Sequence, residues 1–344
     1  MQSPPVYIDF LNRLDIESLE LNSTDILDAV ETGLSMQGSG LTSIEPRMHI
    51  EPKNDVEGHF NVLRGWIGGD IDAAGTKVVG DFVNNYKAGR PSEYGVLTLF
   101  NPTNGAPRAI LDAAGLTDMR TGAISALGCK YLAPASPKTL AHIGARGTAY
   151  WNVCLTASLF DLDEIRVHSK REESRTAFAR QLEKDLPRFV KDRNKIPRVV
   201  VTSNWKDCIY HADIVIEASR LSAPEPLLKN EWIRPGALLI PYGTMSALEN
   251  NLPDIIDKFV MDDWGQAHGK FGALRHHIDT GMFCEDNLHA ELGDIVAGTK
   301  PGRENPDETI LFWHRGLSLS DIALGFAMLK KAQSMGIGQK LRFY

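Results

Sequence analysis

Residues 138–152, KTLAHIGARGTAYWN, contain an apolar run, a glycine turn and the start of a second apolar segment. A strand, a tight glycine turn and a helix form the first half of a dinucleotide-binding βαβ unit. Gly144 ends the predicted strand, and Ala149 stands where the third small residue of the GxGxxG fingerprint belongs. Arg146 replaces the second glycine, where the backbone normally approaches a pyrophosphate. An isolated turn of this kind also fits a plain strand-to-helix connection, so the surrounding sequence has to decide.

The sequence from Thr139 onward alternates apolar runs with helical segments. The runs are TLAHIG, EIRVHS, RVVVTS, DIVIEAS, ALLIPYG and KFVMDD. Nearly continuous apolar strands separated by helices are typical of a parallel, doubly wound sheet. We therefore predict an α/β fold with a Rossmann dinucleotide-binding domain at residues 134–315.

The segment before this domain has a different pattern. A helix in LNSTDILDAVETGL, capped by Ser23 or Thr24, precedes predicted strands in HFNVLRGWIGG and GTKVVGDF. A hairpin follows in YGVLTLFNPTNGAPRAILDA, turning at Asn104-Gly105, a pair that suits positive φ. These elements predict an α+β domain at the N-terminal end.

A helix in LTDMRTGAISALGCKYLA completes this domain, with Thr117 as its predicted cap and small residues on a face that another backbone can approach. The last stretch, DETILFWHRGLSLSDIALGFAMLKKAQSMGIG, predicts one strand and a long helix. We assign residues 1–133, together with about 316–344, to the α+β domain.

Composition excludes several classes of partner. The 344 residues carry a formal net charge of -7, which gives no basic surface for nucleic acid. The apolar stretches are shorter than a membrane span, and we expect a cytoplasmic protein. Metal ligands are not predicted, because the four cysteines form no CxxC pair. One acidic and histidine-containing segment, predicted to be a strand end and a loop, also lacks ligand spacing; it contains Asp262, Asp263, His268, His276 and His277.

The end of the second Rossmann strand indicates which dinucleotide the domain prefers. An acid there accepts from the ribose hydroxyls of NAD, but this chain has Ser169 followed by Lys170 and Arg171. A hydroxyl and two cations favour a 2′-phosphate, so NADP(H) is predicted over NAD(H), which stays possible. Alternatively, both cations are solvated charges at a helix start.

Three cations of the first domain are candidates for binding a substrate. Arg47, Lys77 and Arg120 each lie beside or within a predicted ordered element. Each alone fits an edge charge or an ion pair. Together they suit a carboxylate receptor, because arginine offers a planar fork and lysine a movable proton.

The sequence resembles the ornithine cyclodeaminase/mu-crystallin superfamily from about residue 45 to residue 335. The similar stretches are GTKVVG, LFNPTNGAPRAILDAAGLTDMRTGAISAL, IGARGTA, ADIVIEAS, WIRPGALLIPYG and AELGDIVAGTKPGR. The resemblance implies an N-terminal domain for substrate binding and homodimer formation beside the Rossmann domain. It also implies roles for individual residues. Catalysis and substrate-carboxylate binding fall on Arg47, Lys77 and Arg120, and cofactor binding falls on Arg120, Thr121, Gly144, Ala145, Arg146, Gly147, Thr148 and Ser219.

This chain departs from the family pattern at three places. The family turn usually reads GxGxQA, so Arg146 and Thr148 replace a glycine and a glutamine. Arg146 could hold a phosphate from outside, with Gly147 supplying the backbone freedom. Cyclodeaminases have an aspartate after the glycine that follows the fifth Rossmann strand, where this chain has Thr244. A threonine cannot take up a proton at neutral pH, which argues against cyclodeamination and leaves Thr244 a catalytic candidate in imine reduction.

The third departure is His314 with Arg315, where family members tend to have a small polar residue. These two cations could contact a second substrate carboxylate, or they could cap or pair at the start of the last helix. The resemblance then implies an NADPH-dependent reductase of a small α-imino acid, in which a dicarboxylic substrate is one option. The alternatives are ornithine cyclodeaminase, which recycles bound NAD, and a non-catalytic binding protein like the crystallin members.

Overall fold

The computed structural model describes residues 4–53, 56–192, 194–269 and 271–344. The chain forms two compact units, one of Met1–Arg120 with Leu317–Tyr344 and one of Thr121–Gly316. The division falls inside a helix, α3 (Ala114–Leu132), whereas the division drawn from the sequence was placed after it. The division drawn from the sequence lies at the first breaker after this helix, the segment PASPK.

The first unit is built on one twisted sheet. In the described residues its strands are β1 (Tyr7–Leu11), β2 (Thr42–Ile44), β3 (Met48–Ile50), β4 (His59–Ile67), β5 (Ala73–Asp81), β6 (Glu93–Phe100), β7 (Pro107–Asp112) and β16 (Gln339–Arg342). The order is β16-β1-β7-β6-β5-β4-β2, with β3 also paired to β4. The β1–β7 pair is parallel, and the other described pairs are antiparallel. The predicted hairpin is β6–β7, and Gly105 in its turn has φ 74°.

Helices cover one face of this sheet. They are α1 (Arg13–Glu17), α2 (Ser23–Gly38), the first part of α3 and α9 (Ser318–Met335). Helix α9 packs against α2, β4 and β5, and its first eight residues are buried. Strand β5 alternates, with residues 73, 75, 77 and 79 buried. Lys77 therefore lies on the face of β5 that otherwise carries small and apolar side chains.

The two predicted candidates for the cap of α2, Ser23 and Thr24, are wrong by one and two positions. The cap is Asn22, whose Oδ1 accepts a hydrogen bond from the Asp25 amide at 2.9 Å. The Asp25 carboxylate in turn accepts from the Asn22 amide, at 3.2 Å. This reciprocal capping box favours Asn22 over the neighbouring Ser23 and Thr24.

The predicted cap of α3 is also wrong. The helix begins at Ala114, so Thr117 lies in its first turn. The Thr117 hydroxyl donates to the Ala113 carbonyl oxygen at 2.7 Å and does not cap the helix. The predicted close approach is confirmed, because a Cβ on Gly122 would lie 2.5 Å from the Cβ of Trp151.

The second unit is the predicted Rossmann domain. Its described strands are β8 (Thr139–Ile143), β9 (Glu164–His168), β10 (Arg198–Val201), β11 (Ile214–Glu217), β12 (Leu238–Pro241), β13 (Lys258–Met261), β14 (Leu288–Glu291) and β15 (Ile310–Trp313). Its further helices are α4 (Ala149–Leu159), α5 (Glu172–Asp185), α6 (Trp205–Ile209), α7 (Arg275–Asp279) and α8 (Leu292–Val296). The order β10-β9-β8-β11-β12-β15-β13-β14 is parallel at every described pair.

The strand order reverses direction between β8 and β11. Ligands of open parallel sheets bind outside the carboxyl ends of the strands at such a point. The glycine turn that follows β8 therefore lies where a dinucleotide site belongs.

The acidic and histidine-containing segment is more ordered than its sequence indicates. Asp262 and Asp263 follow β13, but His276 and His277 lie on α7 and not on a loop. Among the described residues, no group of three or more histidine, cysteine, aspartate or glutamate side chains is arranged to hold a metal ion. In the same part of the chain, no helix combines the length and apolar character needed to cross a membrane.

Candidate active site

Lys77 is held by polar groups from two helices of the first unit. Its side chain is 1% exposed. The ammonium nitrogen Nζ donates to Asp321 Oδ1 on α9 at 2.6 Å and to Thr117 Oγ1 on α3 at 3.1 Å. The Thr117 hydroxyl can accept this bond because its own proton goes to Ala113.

Arg120, one turn after Thr117 on α3, forms an ion pair with the same carboxylate oxygen. Arg120 Nε lies 2.8 Å from Asp321 Oδ1, and the two side chains are 6% and 0% exposed. Arg120 Nε has no hydrogen-bond partner among the described residues, so the contact is a charge pair. Asp321 Oδ2 is buried and has no hydrogen-bond partner within the described part of the chain.

Burial and neighbouring cations change the acidity of Lys77. The pKa of Lys77 is lowered to about 7, mainly by burial and next by the Arg120 charge, with a smaller lowering effect from Arg47; the charge and hydrogen bond of Asp321 act in the opposite direction. The three predicted cations therefore share one electrostatic environment. A lysine with a pKa near 7 can give and take a proton at neutral pH.

Asp321 is the member of this cluster that the sequence reasoning missed. Its signal is present in LSLSDIALGFAML, where a single acid interrupts a helix segment that is otherwise small and apolar. Charged residues are rarely fully buried unless they are paired. An acid on the buried face of a helix thus indicates a cation on the facing element.

The glycine turn of the second unit has the geometry of a phosphate cradle. Gly144 has φ 111°, and a Cβ on it would lie 2.8 Å from the Ala218 carbonyl oxygen, so only glycine fits. Ala145 and Arg146 follow, Gly147 has φ 58°, and α4 begins at Ala149. Backbone amides at a helix start attract phosphate, and this turn therefore fits a dinucleotide.

A network of buried and half-buried polar side chains contacts the turn and the start of α4. Asn152 Nδ2 contacts the Tyr242 hydroxyl and lies 2.9 Å from His142 Nε2. His142 Nδ1 lies 3.0 Å from the Gly144 carbonyl oxygen, and Tyr242 Oη lies 2.6 Å from Thr148 Oγ1. Burial lowers the pKa of His142 to about 4, so the ring is neutral. A neutral ring that accepts from Asn152 at Nε2 donates from Nδ1 to Gly144.

The cations at the end of β9 lie near a side chain from the glycine turn. Ser169 directly follows β9, and its carbonyl oxygen accepts from Arg175 Nη1 at 3.1 Å. Lys170 and Arg171 come next and are exposed. Arg146 reaches the same region, since its Nη2 lies 3.3 Å from Ser174 Oγ in the first turn of α5.

Ser219 and Thr244 join the loops that follow β11 and β12. The Thr244 amide donates to the Ser219 carbonyl oxygen at 3.1 Å, and the Ser219 amide donates to Glu217 Oε1 at 2.7 Å. The Thr244 residue is exposed. Both residues belong to the second unit, as does the buried Thr121, whereas Lys77, Arg47 and Arg120 belong to the first. The catalytic role of Thr244 stays a prediction.

His314 and Arg315 do not cap the last helix, which begins at Ser318 after Leu317. His314 is 2% exposed, and its Nε2 lies 2.9 Å from Ser125 Oγ. The Arg315 guanidinium donates to the Phe271 carbonyl oxygen and lies 5.1 Å from the Trp313 ring centre. Their proposed contact with a second substrate carboxylate stays a prediction.

Comparison of the chain with models of known protein families identifies its family. The model of the ornithine cyclodeaminase/mu-crystallin family matches residues 8–335. This chain belongs to that family. The resemblance found in the sequence is confirmed, and so is the fold of a Rossmann domain with an α+β partner.

Individual relatives are dehydrogenases and reductases. The Delta(1)-pyrroline-2-carboxylate reductase of Bacillus thuringiensis subsp. konkukian is 30% identical over 79% of this chain and 82% of its own. The same enzyme of Thermococcus litoralis, solved with NADH and L-proline, is 27% identical with a TM-score of 0.87 over 97% of this chain and 100% of its own. An archaeal alanine dehydrogenase dimer with bound NAD has 24% identity and a TM-score of 0.87 over 98% and 100% of the two chains.

Proposed function

We propose that this protein is an NAD(P)H-dependent reductase of a small α-imino acid. The observation that carries the proposal is Lys77, a buried lysine with a pKa near 7 beside two arginines and one aspartate. Relatives that reduce pyrroline-2-carboxylate by name support the reaction class. The same chemistry in reverse is that of an amino-acid dehydrogenase.

The first unit would bind the substrate through its cations. Arg47 and the terminal nitrogens of Arg120 would hold the α-carboxylate, because a guanidinium matches a carboxylate with two parallel bonds. Lys77 would donate the proton that the imine nitrogen gains as its double bond to carbon becomes single. Lys77 would then be reprotonated from solvent. A bound reduced nicotinamide supplies the hydride that the imine carbon receives.

The second unit would hold the dinucleotide on its glycine turn and prefer NADPH. Ser169, Lys170 and Arg171 offer a 2′-phosphate a hydroxyl and two cations, with no acid at the position that NAD enzymes use. Arg146 adds a third cation, since its guanidinium reaches Ser174 at the start of α5. This placement favours a role at the 2′-phosphate over one at the pyrophosphate.

The exposed face of the first sheet supports a homodimer. Val78 on β5 and Val96 on β6 are directly paired, and both are exposed together with Tyr94. Contiguous exposed apolar groups mark interaction surfaces. Light scattering should give twice the 38.0 kDa mass of one chain. A single-chain mass at micromolar concentration would contradict the dimer.

An assay of cofactor oxidation tests the proposed reaction. NADPH and NADH are each followed with Δ1-pyrroline-2-carboxylate, with pyruvate plus ammonia and with oxaloacetate plus ammonia. Turnover of one imine with NADPH is the expected result, and turnover of the dicarboxylic imine would support roles for His314 and Arg315. Proline and ammonia formed from ornithine without net cofactor change would indicate cyclodeaminase instead. Cofactor binding without turnover of any of these would indicate a binding protein.

A further inference from the structure

We propose that Asp321 is a positioning residue that holds Lys77 protonated and directed for proton transfer to the substrate nitrogen. This inference rests on the proposed reductase function and adds a residue to it. Asp321 acts through Lys77 and is not itself assigned a contact with substrate. The proposal stands on the contacts of one carboxylate oxygen with two cations.

The geometry makes Asp321 the sole described anion in direct contact with Lys77. Lys77 Nζ lies 2.6 Å from Asp321 Oδ1, and its other described hydrogen bond goes to a neutral hydroxyl, that of Thr117. Arg120 and Arg47 oppose the ammonium charge, whereas Asp321 favours it through charge and through the hydrogen bond. Burial and two cations therefore lower the pKa of Lys77, and one acid opposes them.

The polar and charged groups that contact Lys77 or shift its pKa come from two helices and one loop. Thr117 and Arg120 come from α3, Asp321 from α9, and Arg47 from the segment between β2 and β3. The first turn of α9 carries Asp321, and the positive end of the helix dipole favours a negative group there. The helix therefore supports the ionised carboxylate that the lysine needs.

The contacts of Asp321 differ from those expected of an ion pair that serves only stability. Buried carboxylates normally have both oxygens satisfied. Asp321 places two cations on Oδ1, and the buried Oδ2 has no hydrogen-bond partner in the described ranges. An incompletely satisfied buried charge is costly, and such cost is commonly retained at functional sites.

Asp321 also bears on the missing acid at Thr244. The family position that carries an aspartate in cyclodeaminases is a threonine in this chain, which cannot ionise at neutral pH. Asp321 supplies a carboxylate to the proton-donating lysine from a different element. We therefore expect proton transfer here to depend on the Lys77–Asp321 pair.

The test compares pH profiles of imine reduction by the wild-type protein, Asp321→Asn and Ser320→Ala. Ser320 is the matched control, because it is buried on the same helix turn and its hydroxyl donates to the Leu317 carbonyl oxygen. The wild-type kcat should fall as pH rises through the Lys77 pKa. In Asp321→Asn the fall should begin at least about one pH unit lower, giving about a tenfold loss of kcat at pH 8. Ser320→Ala should keep the wild-type profile.

An unshifted fall in folded Asp321→Asn would overturn the inference. If that variant does not fold, Asp321→Glu replaces it, because it retains the charge and moves it by one methylene. A shifted profile in Asp321→Glu supports the positioning role, and a wild-type profile with full turnover overturns it. Absence of imine reduction by the wild-type protein would instead refute the proposed function, so the two failures are distinct.

Discussion

Thr148 and Tyr242, which lie 94 residues apart in the chain, place their hydroxyl oxygens 2.6 Å from each other. The contact joins the end of β12 to the start of α4, directly behind the glycine turn. The family usually has a glutamine where this chain has Thr148. Tyr242 provides the hydroxyl that meets the shorter threonine side chain, and Asn152 completes the network.

We expect Tyr242→Phe to weaken dinucleotide binding. The variant removes the Tyr242 hydroxyl that the Asn152 amide and the Thr148 hydroxyl contact, while Asn152 keeps its contact with His142; the loss costs about 1–3 kcal/mol of folding stability. The cofactor dissociation constant should rise roughly fivefold, corresponding to about 1 kcal/mol. Fluorescence titration with NADPH and chemical unfolding measure the two effects.

Tyr150→Phe is the control for this prediction. Tyr150 lies on the same helix, α4, and its hydroxyl donates to Asp185 at 3.2 Å, away from the network. Its dissociation constant should equal that of the wild type. Equal affinity of Tyr242→Phe and Tyr150→Phe would show that the network does not position the turn.

Lys77→Ala should lose catalysis while keeping the cofactor. Removing a general acid costs about 10²- to 10⁴-fold in kcat. In the wild-type protein the protonated fraction of Lys77 decreases as pH rises through about 7, so reductive kcat should fall on the alkaline side. Initial rates between pH 5.5 and 9 and an NADPH titration test both statements.

The control here is Lys331→Ala, in which a lysine of the same unit loses its 2.7 Å contact with Asp25. It should retain wild-type rates. Undiminished turnover in Lys77→Ala would remove Lys77 from the mechanism.

Arg146→Ala should reduce the preference for NADPH over NADH. A hydrogen bond to a charged group contributes about 1.5–3 kcal/mol, so the NADPH dissociation constant should rise about 10- to 100-fold. NADH has no 2′-phosphate, and its affinity should change little. Arg180→Ala, which removes an exposed arginine from α5, is the charge-matched control. Equal weakening of both cofactors would instead place Arg146 at the pyrophosphate.

Glu217→Gln should change how stability depends on pH. Burial raises the pKa of Glu217 to about 7, so the folded protein binds a proton that the unfolded chain releases above pH 4.5. The folded state therefore loses stability as pH rises from about 4.5 to 7. Because glutamine does not titrate, the free energy of unfolding of the variant should increase relative to that of the wild type over this range, by up to about 3 kcal/mol. Unfolding by urea at pH 5 and pH 8 gives the difference, and a pH-independent difference would contradict it.

The Rossmann unit could be predicted from the sequence because its strands are local and nearly continuous in apolar residues. The six predicted runs in TLAHIG to KFVMDD correspond to β8 to β13, in chain order. Strand β14 (LHAE) and strand β16 (QKLR) were missed, since both are short and carry charged residues. They exist because a neighbouring strand supplies hydrogen bonds, which periodicity does not record.

The site was predictable in part for a related reason. Lys77 and Arg120 are charges in apolar surroundings, which can be seen in one sequence. Their common partner, Asp321, lies 244 residues beyond Lys77, and pairing over that distance depends on the fold. The two wrong caps had a local cause: Asn22, next to the predicted Ser23, reaches the Asp25 amide, and the predicted Thr117 donates to the Ala113 carbonyl oxygen within the first turn of α3.

The first unit is assembled from two separated parts of the chain, and this has a consequence for biosynthesis. A ribosome releases residues 121–316 before it releases α9, so the contiguous unit can fold while the discontinuous one still lacks a helix. During that interval Lys77 and Arg120 lie without their carboxylate. Both cations therefore acquire their buried ion-pair partner only after α9 has been synthesised.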